Sequence, residues 1–234
     1  MELLIDERMR LIEKQKLKNL GYKLIEIKQS KNVYQEISSH VDIFVCKIGS
    51  KLIVEPTQYE NIKEQLTKVI EEGNEIIESK YPFDIKYNVC VIGKKALHNF
   101  KYTDFKIKEE LYNQGYELIN TTQGYTNCSI AVIDDNSAIV TDKGLYKILK
   151  KHNIDVLYLE YEPDIKLLNN EGYSEKKGFI GGVISRIDNR IFISGDLEKI
   201  DQNQQIKKFL EKRNLEIIEF KGLDVIDYGG IVGI

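Results

Sequence analysis

Gly115-Tyr-Glu-Leu-Ile-Asn-Thr121 decides how the rest of this chain is read, because the same string occurs in five versions. The others are Gly21-Tyr-Lys-Leu-Ile-Glu-Ile27, Gly73-Asn-Glu-Ile-Ile-Glu-Ser79, Asn153-Ile-Asp-Val-Leu-Tyr-Leu159 and Asn214-Leu-Glu-Ile-Ile-Glu-Phe220. Each opens on Gly or Asn, residues that accept the left-handed conformation ending a helix. Each then runs into an apolar-rich string of strand type. A segment of helical spacing precedes every one: Leu11, Leu17 and Leu20; Ile62, Leu66, Val69 and Ile70; Ile107 and Leu111; Leu145, Ile148 and Leu149; Ile206 and Leu210. Those spacings put apolar side chains on one helical face.

Upstream of these helices a second string recurs, at Ile43–Pro56, Tyr87–His98, Ser129–Asp142 and Val183–Gly195. Each copy is two apolar runs broken by Gly-Ser, Gly-Lys, Asp-Asp-Asn or Asp-Asn, which suit tight hairpin turns. The unit is therefore strand–hairpin–strand–helix–strand. Four copies are complete, and the last is split. Asp227-Tyr-Gly-Gly-Ile-Val-Gly-Ile234 begins like Gly178-Phe-Ile-Gly-Gly-Val-Ile184 and stops, and residues 1–28 carry the parts it lacks. The expected fold is α/β, one domain over residues 1–234, with five repeats closed into a ring by the N- and C-terminal segments. Its units are 228–234 plus 1–28, 40–79, 84–120, 125–160 and 178–220. Closure would remove an exposed sheet edge. Two stretches fall outside the repeat: a polar connector at 29–39, and a polar insert at 161–177 of the length typical of lids or disordered loops.

Composition sets limits on function. With 42% apolar and 30% charged residues the chain has an ordinary globular balance, and a formal charge of −3 gives no basic excess for nucleic acid. The N-terminus, charged every few residues, reads as neither signal nor transit peptide, and no stretch approaches a membrane span. Three cysteines are too few for a secreted disulfide framework, so a cytoplasmic location with reduced thiols is expected. Without CxxC or HxxxH spacing, no metal site and no cofactor are expected. The oligomeric state is left open.

In a ring of repeats, the starts of the first strands meet at the axis. Aligned on the turn residues, His40 is level with Asp84, Tyr125, Phe179 and Tyr228. Two residues on, Asp42 is level with Lys86, Asn127, Gly181 and Gly230. Convergent titratable and aromatic groups at a mouth make a candidate binding site, the alternative being a solvated rim. His40-Val-Asp42 reads as two side chains on one strand face, an imidazole beside a carboxylate suited to acid/base work. Cys128 lies in Gln123-Gly-Tyr-Thr-Asn-Cys-Ser129, a polar loop entering a strand and a better setting for a reactive thiol than the apolar surroundings of Cys46 and Cys90. Anchored upstream, Cys128 is level with Ile43; anchored downstream, with Asp42. By strand alternation only the second points it at the axis. His98 and His152 lack a supporting constellation and read as surface residues. The glycine pairs in Gly178-Phe-Ile-Gly-Gly182 and Tyr228-Gly-Gly230 allow either close approach of a ligand or a bend in the strand.

Together the five-unit ring, HVDIF, QGYTNCS, GFIGG and DYGG resemble the pentein superfamily, the guanidino-group-modifying-enzyme fold, and an uncharacterised bacterial branch of it. The resemblance implies a five-bladed α/β-propeller. It also implies a cysteine-dependent hydrolase or transferase acting on a guanidine or amidine compound, with a small cationic ligand as partner. By that likeness Cys128 is the nucleophile and His40 the proton shuttle. Asp42, Asp84 and Asp227 hold the cation, Asp224 being a further stand-in, and Tyr125, Asn127, Phe179 and Tyr228 line the site. The sequence departs from the pattern in three respects: the enzymes carry the cysteine in a glycine-rich C-terminal segment, and here that segment has none; their second carboxylate and histidine-pairing glutamate have no secure match; and the 234 residues are the minimal size of the non-catalytic branch. The non-catalytic branch, the ribosome anti-association factor, implies a binding protein on the same ring.

Overall fold

The computed structural model describes residues 1–234 as a mixed α/β fold. Its frame is five small, separate three-stranded sheets. They comprise Val45–Ile48, Lys51–Val54 and Glu71–Glu72; Cys90–Ile92, Lys95–His98 and Glu117–Asn120; Ile130–Asp134, Ser137–Val140 and Asp155–Tyr158; Ile184–Ile187, Arg190–Ile193 and Glu216–Ile218; and Val232–Gly233, Glu2–Asp6 and Lys23–Ile27. In every sheet the central strand runs antiparallel to the first and parallel to the third. A helix makes each parallel crossover: Leu11–Asn19, Pro56–Ile62, Phe105–Asn113, Lys143–Lys151 and Gln205–Glu211. The fifth sheet joins the two ends of the chain, with Leu3 opposite Gly233 and Leu4 opposite Val232.

Local chemistry accounts for these boundaries. Glu55, Asp104 and Asp142 each accept hydrogen bonds from the free amides of the helix they precede, and Pro56 needs none. Four of the five recurring strings do open in the left-handed region: Gly21 at φ 88°, Gly115 at 69°, Asn153 at 60° and Asn214 at 53°. Buried Leu17, Ile107, Leu111, Leu145, Leu149, Ile206 and Leu210 pack helices onto sheets, whereas Leu11 and Val69 are exposed. No helix is long and apolar enough to cross a membrane.

The second unit breaks the pattern. Its helix ends at Ile62, and its third strand is Glu71–Glu72, upstream of the string at 73–79. Gly73 serves another purpose: a Cβ there would overlap the Tyr87 ring, 2.6 Å from Cε1. Tyr87 is fully buried and its hydroxyl donates to the Glu75 carbonyl (2.7 Å), while the Asp104 carboxylate accepts the amides of Asn74 and Glu75, both at 2.9 Å. That string is laid over an anchored phenol rather than added to a sheet. Gly73→Ala is expected to cost about 3 kcal/mol by displacing Tyr87. Gly115→Ala, where nothing lies within 4 Å, pays only the left-handed backbone term of about 1 kcal/mol. Chemical denaturation of the two variants checks the order.

The insert is neither loop nor disordered. Lys166–Asn169 and Gly172–Lys177 form an antiparallel hairpin, and Lys166 also bridges Ile226. Glu36, in a short 3-10 turn of the 29–39 connector, binds this hairpin through Ser174 Oγ (3.0 Å) and Lys176 Nζ (3.0 Å). Arg8 ties both to the sheet of the chain ends. Its guanidinium holds Asp6 (2.8 Å), Ser39 Oγ (2.8 Å) and the carbonyls of Gln35 and Glu36.

Candidate active site

Three first strands are entered through a single helical turn: Val41–Phe44, Thr126–Ser129 and the 3-10 turn Ile180–Gly182. The strand reading of His40-Val-Asp42 is therefore corrected. His40 precedes the turn in extended conformation and Asp42 lies within it. The same fact removes the alternation argument about Cys128. The turns end at Val45 and Ile130, so Cys128 is level with Ile43, yet its thiol lies against the Asp42 carboxyl. A helical turn fans successive side chains around its axis by roughly 100° each, so alternation does not apply.

His40, Asp42, Cys128 and Asp227 form one group, each no more than 2% exposed. Asn88, which the sequence reading did not single out, is the bracket that builds it. Its amide nitrogen donates to Cys128 Sγ (3.1 Å) and to the Asp42 carbonyl (3.0 Å). Its oxygen accepts the amides of Asn127 (2.9 Å) and Cys128 (3.3 Å). The available signal was a polar Asn two residues beyond Lys86 at the start of an otherwise apolar strand. Asp227 is held by the amides of Phe179 and Gly229, both at 2.8 Å, and its Oδ1 lies 3.7 Å from His40 Nδ1. Both His40 ring nitrogens and both Asp42 oxygens lack a hydrogen-bond partner.

The glycine motifs are close approaches. A Cβ on Gly182 would collide with the Asp227 carboxylate, and one on Gly181 would lie 2.6 Å from the Cys128 carbonyl. Gly229 sits at φ 68°, and a Cβ there would lie 2.5 Å from His40 Cβ and 2.6 Å from Asp42 Oδ1. Only glycine lets this strand start pass over the group.

Electrostatics follow from burial without a compensating cation. Burial pushes the Asp42 carboxyl up to about 6 and raises Asp227, against the pull of His40 on the latter. His40 is held below its ordinary value by burial, with Asp227 and Asp6 pulling the other way. Burial, with Asp42 and Asp227 alongside, drives the Cys128 thiol well above its ordinary value. Cys46 and Cys90 are also raised by burial, Cys90 to about 12.

The remaining candidates divide. Asp84 lies apart from the inner group, with Oδ2 accepting from the Tyr125 hydroxyl at 2.5 Å. The Tyr125 ring stacks on Phe179 at 6.3 Å, so the two aromatics share a wall. Asn127 lines a cavity of about 380 Å³ on the other side of the turn, which Val45, Val91, Val132, Ile184 and Val232, one from each first strand, also line. Tyr228 is not brought into the group. It is buried among Leu3, Ile5 and Met9, and its hydroxyl donates to Glu13 (3.0 Å). Asp224 is paired with Lys199 at the surface. His98, read as a surface residue, is fully buried, its Nδ1 2.6 Å from Thr103 Oγ1. His152 pairs with Glu117 at 2.8 Å.

The family model described as a family of unknown function, DUF6873, matches residues 4–232. The chain belongs to that family. No curated protein matches its sequence. Among solved structures it is similar to DDAH from Pseudomonas aeruginosa, a cysteine-to-serine mutant complexed with citrulline. That match has 8% identity and a TM-score of 0.57, covering 95% of this chain and 91% of the other. It is also similar to C. jejuni agmatine deiminase with substrate bound (13%, 0.55, 95% and 87%). A third likeness is to an amidinotransferase from Microseira wollei in the saxitoxin biosynthetic pathway (13%, 0.52, 88% and 72%). These likenesses give the DUF6873 chain the pentein fold.

Proposed function

We propose that this chain is a cysteine-dependent enzyme that binds a guanidinium or amidinium group against Asp42 and Asp227 and attacks its central carbon with Cys128. The observation that carries the reading is the buried group itself: two carboxyls without a cation, beside a thiol and a histidine with both nitrogens free. Asp42 has no hydrogen-bond partner and Asp227 only two backbone amides, which is costly for buried carboxyls, and a planar cation with several N–H donors is a ligand that would satisfy them. The structural relatives, whose names speak of deimination, amidino transfer and citrulline, support the same substrate class.

The proposal includes the architecture. The five sheets stand as blades of one propeller domain, with the units bounded as the repeats suggest. The cavity touched by all five first strands supports an axis there. It also includes a reducing cytoplasmic setting, which suits three unpaired thiols.

In this mechanism the bound cation offsets the field of Asp42 and Asp227 that keeps the thiol protonated. Cys128 gives its proton to His40 and its sulfur forms a bond to the guanidinium carbon. The C–N bond breaks as His40 returns the proton to the departing amine. Water then attacks the S-linked carbon, gives a proton to His40, and releases the product and the thiol; an amine acceptor in place of water makes the reaction a transfer.

A non-catalytic binding protein is the second reading, favoured by the raised thiol pKa. One experiment separates them. The protein is incubated with arginine, agmatine and methylated arginines, acid-quenched, and the Cys128 peptide weighed. An amidino adduct that is lost in Cys128→Ser is expected. Saturable binding with neither adduct nor urea-type product establishes the second reading instead.

A further inference from the structure

The cavity touched by all five first strands, about 380 Å³ in volume, takes no part in that mechanism, for none of His40, Asp42, Cys128 and Asp227 lines it. Its lining is layered, because residues i and i+2 of a strand share a face. Val45, Val89, Ile130 and Ile184, at the starts of four first strands, make an apolar inner layer. Two residues on, about 7 Å further along each strand, come Lys47, Val91, Val132 and Arg186. The segments before the strands contribute Asn127, Gly181 and Gly230 at the other end.

The charged side chains of the lining are Lys47, Arg186 and Asp135, and all three are exposed. Neither cation has a carboxylate partner. Lys47 Nζ donates to the Gly233 carbonyl (2.5 Å), and the Arg186 guanidinium donates to the carbonyls of Ile133 (2.8 Å) and Asp188. Carbonyls satisfy the donors of a cation without cancelling its charge. Partial burial and the nearby Lys68 hold the Lys47 amine below the ordinary lysine value, while Asp188 pulls the other way. The cavity therefore has branched aliphatic walls within, and at its exposed end two cations against one acid.

Hydrocarbon at one end and positive charge at the other call for a ligand of complementary build. We propose that this cavity binds a small organic anion, with a short aliphatic chain on Val45, Val89, Ile130 and Ile184 and a carboxylate or phosphate head at Lys47 and Arg186. Its volume lies at the low end of the roughly 300–1,000 Å³ of small-molecule sites, so the chain is short. The site stands apart from the guanidinium reading, since its ligand has the opposite charge and its lining omits the buried thiol and carboxyls.

The test titrates the full chain, labelled at its valine and isoleucine methyls, with hexanoate, hexyl phosphate, hexylamine, hexanol and sodium sulfate. Methyl shifts locate the ligand and calorimetry gives the affinity. At least one of the two organic anions is expected to bind saturably and to move the Val132 and Ile184 methyls, and the tighter of the two names the head. Hexylamine and hexanol should bind at least about tenfold more weakly, having no charge-assisted hydrogen bonds to make with Lys47 and Arg186. Lys47→Met and Arg186→Met, both at exposed positions, should each weaken the anion severalfold and leave hexanol unchanged. Val132→Phe fills the cavity and should abolish binding of the anion in a protein that still unfolds cooperatively. The site is overturned if neither organic anion moves the methyls, if hexanol or hexylamine binds as tightly as the better anion, or if the lysine and arginine variants bind it as wild type does. Sulfate that displaces the anion without moving the methyls would reduce the site to ion pairing at the surface and overturn it equally.

Discussion

Asp42→Asn is expected to make the protein more stable and to abolish binding of the guanidinium probe. The carboxyl has a folded-state pKa raised by burial from 3.8 to about 6. A carboxyl with a raised folded pKa favours the folded state fully below its unfolded value, and that contribution is lost as pH rises through the folded value. Between about pH 4 and 6 the wild-type protein therefore loses up to about 3 kcal/mol relative to a variant that cannot ionise there. Thermal unfolding of the two proteins should coincide at about pH 4 and separate above about pH 6, the variant higher. His40, whose pKa is lowered by burial, gives an opposite acid dependence, but it is present in both proteins and drops out of the difference. A variant no more stable than wild type at neutral pH would show that Asp42 is compensated in the free protein, and the case for a cation site would lose its footing. Stability set against function at one residue is the pattern of sites that await a charged ligand.

The second large effect is expected at Asn88. Asn88→Ala leaves the amides of Asn127 and Cys128, the Asp42 carbonyl and the Cys128 sulfur without the partner described above. The expected loss is about 3–5 kcal/mol, read from denaturant midpoints. Asn88→Asp keeps the acceptor for the two amides but loses the donor and adds a third carboxyl to the group. It should unfold at a lower temperature than wild type and raise the pH at which Cys128 alkylates. Normal alkylation in Asn88→Asp would mean that the bracket does not govern the thiol.

Much of the frame could be read from the residues because it rests on local chemistry. Gly21, Gly115, Asn153 and Asn214 end helices in the left-handed region, and Asp104 and Asp142 open them, so repeat and crossover were visible as spacing. The second unit misled because Gly73 looks like a helix end while its missing side chain answers to Tyr87, a partner 14 residues on that no local rule reveals. The site was half legible. His40, Asp42, Cys128 and Asp227 could be named from their types and motifs, and the structure gathers them. Their geometry could not, because the helical turns at Val41–Phe44 and Thr126–Ser129 re-aim the side chains and undo a two-residue alternation. Tyr228 departs for a different reason: the left-handed Gly229 and Gly230 turn the chain just after it, and its ring lies in the core with Leu3, Ile5 and Met9. Asn88 makes its contribution only through tertiary hydrogen bonds, and sequence periodicity has no term for those.

The pairing of Leu3 and Leu4 with Gly233 and Val232 has a consequence for how the protein is made. On the ribosome Glu2–Asp6 is made long before Val232–Gly233, the strand that covers its free edge. Asp227 belongs to that same later segment, so the candidate site lacks a carboxyl until it is made. The nascent chain thus exposes one open strand edge throughout that interval, a time during which such edges recruit unwanted partners. The charge-rich first helix and Arg8, which caps Asp6 at the end of that strand, are well placed to keep it solvated while it waits.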